Sequence, residues 1–390
     1  MSTSDVLTLD LPNRTYGGAG TIRHAGEAAR NLGARSIFVV TDPVLTKTDC
    51  VDRLLLALDS RTVQVRVCDA AEPEPTISAI EAVATALYEA GDIDLVVSLG
   101  GGSVIDVAKC ANVVATNGGD IVDYESGAVS GRQIARLLPH IAIPTTAGTG
   151  SEATVWAIYV DPSRRLKSAV SDSRLIPDVA ILDAELTTTL PKRVTAGTGM
   201  DALTHAIEAY VSAFASPFTD AFAAQAIRLI AANLRRAFAQ GQDIVARSNM
   251  LTASFMAGAA FSNSSCGLVH TLAETVGGFF RTPHGVTNAL LLPWVMEFNL
   301  DACPEKFANV AALLGENVTR LNPDEACRAA ILAVKNLNAD IGLPPSLREI
   351  GVKRVDIPAL SREALVWADT SGNPKAITLE QITHLYEAAF

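Results

Sequence analysis

Up to residue 187, short apolar runs alternate with segments of helical period; beyond it the runs stop and helical patterns follow one another. The runs are Ser36-Ile37-Phe38-Val39-Val40, Val63-Gln64-Val65-Arg66-Val67, Asp94-Leu95-Val96-Val97-Ser98-Leu99 and His140-Ile141-Ala142-Ile143-Pro144. Helical spacing occupies 25–32, closed by Gly33, and 76–90, closed by Gly91. The run at 63–67 alternates apolar with polar residues and the other runs are mostly apolar; strands alternating with helical segments imply a parallel sheet covered by helices, so an α/β domain is expected. After Thr188 the apolar residues recur at helical spacing over 201–214, 219–239, 244–261, 323–340, 357–369 and 379–389, with stops at Gly315, Gly342 and Gly372-Asn373-Pro374. An all-helical second domain is therefore expected. The boundaries read as 1–187 and 188–390, in keeping with a chain of 390 residues, which exceeds the size one core ordinarily serves.

Composition narrows the function. With 49 % hydrophobic and 19 % charged residues the chain is a well-buried globular protein, not a disordered one. A net charge of −11 without any basic run argues against nucleic acid as a main partner. Met1-Ser2-Thr3-Ser4-Asp5 lacks the basic region and apolar core of a signal peptide, and no apolar run reaches bilayer length. The six cysteines are scattered with no CxxC pair. They read as reduced thiols in a cytoplasmic protein with no membrane partner, and Cys266, four residues before His270, reads as structural.

Two loops have the chemistry of nucleotide binding. The strand at 94–99 runs into Gly100-Gly101-Gly102-Ser103, after which 104–109 reads as a helix. Glycines let backbone N–H groups approach a pyrophosphate, and a helix N-terminus adds partial positive charge. The triplet is neither GxGxxG nor a P-loop. The second loop, Pro144-Thr145-Thr146-Ala147-Gly148-Thr149-Gly150-Ser151-Glu152, also follows a strand and is rich in hydroxyls and glycine. It suits phosphate, ribose and carboxamide contacts; as a plain turn it would only cap a helix with Ser151. Asp42 ends the strand at 36–40, where a carboxylate accepts bonds from an adenosine ribose and repels a 2′-phosphate, favouring NAD over NADP; Asp also starts turns.

A third constellation lies between Met200 and Pro293. Asp201 and His205 are four apart and share a helix face. His270 follows in Gly267-Leu268-Val269-His270-Thr271-Leu272-Ala273-Glu274, and His284 in Thr282-Pro283-His284-Gly285. One carboxylate and three imidazoles suit a borderline divalent cation such as Fe²⁺ or Zn²⁺, with room for an exchangeable oxygen ligand. Any one of these histidines alone reads as an ordinary one; the set of them beside a glycine loop points to chemistry.

Taken in order, Gly100-Gly-Gly-Ser103 with Asp106 and Lys109, Pro144 to Glu152, Gly199-Met-Asp-Ala-Leu-Thr-His205 and Pro283-His-Gly285 resemble the iron-containing (group III) alcohol dehydrogenase family, over essentially the whole chain. The look is closest to its lactaldehyde reductase and 1,3-propanediol dehydrogenase branch. The resemblance implies the dehydroquinate synthase-like fold: an α/β dinucleotide domain, a helical metal domain and an active site in the cleft between them. It places metal ligands on Asp201, His205, His270 and His284. Cofactor contacts fall on Asp42, Gly101, Gly102, Ser103, Thr145, Thr146, Thr149, Lys167 and Leu182, and an apolar wall on Phe261. It implies NAD, Fe²⁺ with Zn²⁺ as the alternative, a small alcohol or aldehyde as substrate, and a homodimer or larger ring, with the apolar stretch 6–11 able to pair across a dimer axis.

The implied reaction interconverts a primary alcohol and its aldehyde by hydride transfer, the cation acting as Lewis acid. Two positions depart from the family pattern. Where relatives carry a further histidine one turn after His270, this chain has Glu274, which shares the helix face of His270 and is the candidate for handling the proton. Asp369 stands where one close relative type has a small thiol. Rival readings on the same scaffold are a hydroxyacid–oxoacid transhydrogenase, a metal-independent maleylacetate-type reductase, which loses the ligand set intact here, and a dehydroquinate-synthase-type lyase, which needs basic residues absent from these motifs.

Overall fold

The computed structural model describes residues 6–59, 61, 63–126, 131–162, 164, 166–367 and 370–390; Asp369 lies outside them. Contacts divide the chain into Leu11–Thr189 and Leu190–Phe390, and the segment ahead of Leu11 goes with the second unit. Asp10 N–H donates to Asn263 Oδ1 at 2.8 Å and Asn263 Nδ2 returns a bond to Asp10 O at 3.0 Å.

The first unit is a parallel sheet with helices on both faces. Its strands are β1 (Arg14–Gly18), β2 (Ser36–Val40), β3 (Gln64–Cys68), β4 (Leu95–Gly100), β5 (His140–Pro144) and, after the β6–β7 hairpin (Trp156–Asp161, Leu166–Ser171), β8 (Val179–Asp183). The order across the sheet is β1-β8-β5-β4-β2-β3, and every pairing is parallel. Helices α1 (Ala25–Asn31), α2 (Cys50–Ala57), α3 (Ile77–Glu89) and α4 (Gly102–Asn117) cover it. The two-residue period of the strands sorts the core: Phe38, Val40 and Val96 pack with α3 and α4, while Ile37, Val39, Leu95, Val97 and Leu99 pack with α1 and α2. Each fully buried aliphatic side chain of this kind contributes about 1.5–3 kcal/mol.

The chain moves outward from β2 to β3, then returns to β4 on the other side of β2 and goes on to β5. The direction therefore reverses between β2 and β4, and open α/β sheets bind ligands outside the carboxyl ends of strands at such a switch point. Asp42 follows β2 and Gly100–Ser103 follows β4, so both nucleotide features fall there. Thr41 Oγ1 donates to Leu99 O at 2.9 Å and ties the two strand ends together.

The second unit is helical: α5 (Lys192–Val211), α6 (Pro217–Ala239), α7 (Ile244–Ser262), α8 (Leu268–Phe280), α9 (His284–Asn299), α10 (Pro304–Leu313), α11 (Pro323–Asp340), α12 (Ile357–Trp367) and α13 (Leu379–Ala388). Capping boxes start α6 (Ser216 with Thr219), α11 (Asn322 with Glu325) and α13 (Thr378 with Gln381), the first two with Pro in the first turn. No helix among the described residues is long and apolar enough to cross a membrane.

Candidate metal centre and nucleotide loops

Three helices supply the expected ligands. Asp201 and His205 lie one turn apart on α5, His270 is in the first turn of α8, and His284 begins α9. Asp201, His205 and His270 are buried, and the side chain of His284 is 24 % exposed. The start of α8 is fixed from two sides: Glu208 Oε1 accepts from Val269 N–H at 2.6 Å, and Asn373 Oδ1 accepts from Leu268 N–H at 3.4 Å. The Gly372-Asn373 segment therefore does more than stop a helix.

The donor atoms of Asp201, His270 and His284 lie within 4.8 Å of one another, and those of His205, Cys266 and His270 do likewise. The four expected ligands thus come together as two overlapping groups that share His270. His205 joins through stacking, its ring 4.5 Å from that of His270 and 4.3 Å from that of Phe261. Donors bound to a single Zn²⁺ at about 2.0–2.3 Å lie at most about 4.6 Å apart, so groups whose donors lie within 4.8 Å of one another come close to the dimensions of one coordination sphere.

Two residues that sequence reasoning passed over organise this set. Glu208 Oε2 accepts from Nδ1–H of His270 at 2.5 Å, which leaves Nε2 to face the centre. Asn288, one turn into α9 from His284, donates through Nδ2 to Asp201 Oδ1 at 2.7 Å, and the same nitrogen lies 3.1 Å from His284 Nε2 and 3.2 Å from His270 Nε2. Three potential ligand atoms thus converge on one amide nitrogen, while Asn288 Oδ1 is buried with no hydrogen bond among the described residues. The signal for both was spacing: Glu208 is three residues after His205, and Asn288 four after His284.

The electrostatics fit a cation. Burial opposes ionisation of Asp201, yet His205, His284 and His270, with the Asn288 amide, outweigh it and hold the carboxyl below its ordinary range. Burial likewise disfavours a His270 imidazolium, but Cys266 and Glu208 prevail and hold its pKa well above the ordinary value. The residues present therefore fit a divalent ion. Glu274 is half-buried on α8, one turn beyond His270.

The nucleotide features sit in the first unit. Gly101 caps α4 without any side-chain cap; the Val104 N–H turns back to Gly101 O at 3.0 Å, and the N–H groups of Gly102 and Ser103 ahead of it are those placed to meet an anion. A Cβ on Gly102 would come within 2.5 Å of the Thr149 side chain, and one on Gly101 within 3.4 Å of Thr146. The two loops thus pack against each other, and Thr145 N–H donates to Gly100 O at 2.9 Å. Ser103, Thr146 and Thr149 are half-buried beside them, and Thr145 is buried. Lys109, fully buried, props the second loop: its ammonium donates to Ser151 O, Thr154 O and Trp156 O at 2.8 Å each, and to Thr154 Oγ1 at 3.2 Å. Asp106 accepts from Ser151 Oγ at 2.5 Å. These residues fit a dinucleotide phosphate. Asp42 Oδ1 accepts from the Val44 and Leu45 N–H groups at 2.8 and 3.0 Å, so this carboxylate also starts a turn. Lys167 on β7 pairs with Glu74 at 2.6 Å, and the Leu182 side chain is buried on β8.

Comparisons with known proteins point to one family. Residues 12–184 match the family described as "Iron-containing alcohol dehydrogenase", and residues 195–390 match "Fe-containing alcohol dehydrogenase family, C-terminal". The chain is 40 % identical to the NAD-dependent methanol dehydrogenase of Bacillus methanolicus, over 97 % of this chain and 98 % of that one. It is also 40 % identical to the 1,3-propanediol dehydrogenase of Klebsiella pneumoniae, again over 97 % and 98 %. A solved structure of 1,3-propanediol oxidoreductase superposes with a TM-score of 0.94 at 40 % identity, covering 99 % of this chain and all of that one.

Proposed function

Because the chain belongs to the iron-containing alcohol dehydrogenase family, we propose that it interconverts a small primary alcohol or diol with its aldehyde at Asp201, His205, His270 and His284. As a member of that family it is a metal- and NAD-dependent oxidoreductase. The observation that carries the assignment of the centre is the convergence of Asp201, His270 and His284 on one point beside Asn288.

A divalent ion bound there, iron by family, supplies Lewis-acid polarisation of the substrate oxygen, and the nicotinamide gives or takes the hydride. The rest is the work of side chains. Glu208 fixes the tautomer and ring orientation of His270, so that Nε2 is presented without rearrangement. Phe261, stacked on His205, holds that ring and offers an apolar wall to the substrate carbon chain. Glu274 shares the face of His270 and is assigned the proton: its carboxylate takes it from the alcohol, or returns it to the forming alcohol, directly or through one water. Gly101, Gly102, Ser103, Thr145, Thr146 and Thr149 hold the dinucleotide, Asp42 its ribose, and Lys167 and Leu182 line its path. In this reading 1–187 is the dinucleotide domain and 188–390 the metal domain. The protein works in the cytoplasm as a homodimer or larger assembly, joined through the stretch where Val6 and Leu7 are exposed.

Stripping the purified protein with a chelator, then following NADH oxidation with glycolaldehyde, lactaldehyde and propanal, tests this directly. Activity is expected to vanish and to return with Fe²⁺ or Zn²⁺. Turnover indifferent to metal would overturn the assignment of the centre.

A further inference from the structure

A thiol lies beside two of the expected metal ligands. Cys266 Sγ lies within 4.8 Å of a ring nitrogen of His205 and of His270, two of the four expected ligands. Its backbone is held on both sides. Ser265, at φ 68°, turns the chain out of α7, and its N–H donates to Phe261 O at 2.7 Å. Gly267 lies so close to Glu208 that a Cβ there would come within 2.9 Å of Oε1, and one on Gly372 would come within 2.2 Å of Cys266 O. The thiol is therefore carried on a rigid segment that Glu208 also grips, and Glu208 orients His270.

We propose that Cys266 is itself a metal ligand, closing with His205 and His270 the side of the centre that Asp201 and His284 leave. The proposal rests on the metal-centre reading above. On binding, the S–H bond breaks, a sulfur–metal bond forms, and the proton passes to solvent. Thiolate is a soft ligand, so its presence tilts the centre towards Zn²⁺ relative to a set of three imidazoles and a carboxylate. The other five cysteines belong to neither cluster among the described residues.

Cobalt substitution of the full-length protein separates the two claims. One equivalent of Co²⁺ gives visible d–d absorption if the centre binds metal at all, and an intense near-ultraviolet thiolate-to-cobalt charge-transfer band only if sulfur is bound. Both are expected in the wild type, with Cys266→Ser keeping the first and losing the second. A wild type showing d–d absorption without the charge-transfer band overturns the proposal and leaves the metal centre standing. So does a band that persists in Cys266→Ser. No d–d absorption at one equivalent overturns both readings. Should Cys266→Ser not fold, iodoacetamide labelling of the wild type, read at the Cys266 peptide, decides: Zn²⁺ is expected to slow alkylation severalfold, and equal rates overturn the proposal.

Discussion

Glu208 shows how much of this centre depends on residues that never face the substrate. One carboxylate oxygen holds the backbone of α8 at Val269, and the other holds the imidazole of His270. Glu208→Gln keeps the shape but cannot accept from both N–H groups with full charge. Metal affinity, measured by competition with a chromophoric chelator, is expected to fall about 10–100-fold, with circular dichroism unchanged. An affinity equal to wild type would leave Glu208 a purely structural residue. In the sequence, Asp201, His205, His270 and His284 stood out because their residue types carry metal chemistry. Glu208 and Asn288 did not, since a glutamate on a helix is usually solvated and an asparagine has no fixed role. Only packing shows that both point inward, and packing likewise turned Cys266 from a bystander into a neighbour of two imidazoles.

At the scale of elements, glycines decide how close α9 comes to α5. A Cβ on Gly285 would stand 2.2 Å from Gly197 O and 3.0 Å from Asp201 Cβ, and one on Gly199 would stand 2.3 Å from Leu234 Cδ1 on α6. These contacts bring His284 onto Asp201. Gly285→Ala is expected to lever the first turn of α9 away, costing about 1–3 kcal/mol of stability and weakening metal binding while leaving NAD binding intact. Isothermal titration with each ligand reads both, and an unchanged metal affinity would show that the close approach is incidental. The same glycines hid the start of α5. Thr195-Ala-Gly-Thr-Gly199 reads as a loop by propensity, yet the helix begins at Lys192, nine residues before the expected 201, because tertiary packing needs small residues there. The apolar strands β2, β4 and β5 were legible from their runs of buried-type residues, and β3 (Gln-Val-Arg-Val-Cys) from its alternation. β1 (Arg-Thr-Tyr-Gly-Gly), at the sheet edge, and the partly polar β6–β7 hairpin lack that signature, and β8, though a buried Val-Ala-Ile-Leu-Asp run, was not singled out.

For the whole molecule, the proposed nucleotide loops and the proposed metal ligands are carried by separate contact units, Leu11–Thr189 and Leu190–Phe390. The pairing of Asp10 with Asn263 joins the segment ahead of Leu11 to the helical unit, a contact that no local sequence pattern announces. Ligands should therefore stabilise unequally. At a hundredfold excess over its Kd a ligand adds about 2.7 kcal/mol to what it binds. Hydrogen exchange read by peptide is expected to show NAD slowing exchange mainly in α4 and the loop after β5, and Zn²⁺ slowing it mainly at the starts of α8 and α9. Protection of the same peptides by both ligands, to the same degree, would contradict it.

The turn after β2 bears on any redesign of coenzyme preference. Asp42 would have to lose its charge to admit a phosphorylated ribose, yet its Oδ1 also anchors the N–H groups of Val44 and Leu45. A glycine there removes the repulsion and the anchor together, whereas an asparagine keeps the acceptor oxygen and sheds only the charge. On the proposed role of Asp42, coenzyme choice and loop shape are written in one side chain, and an engineer who changes the first without an amide in its place inherits a problem in the second.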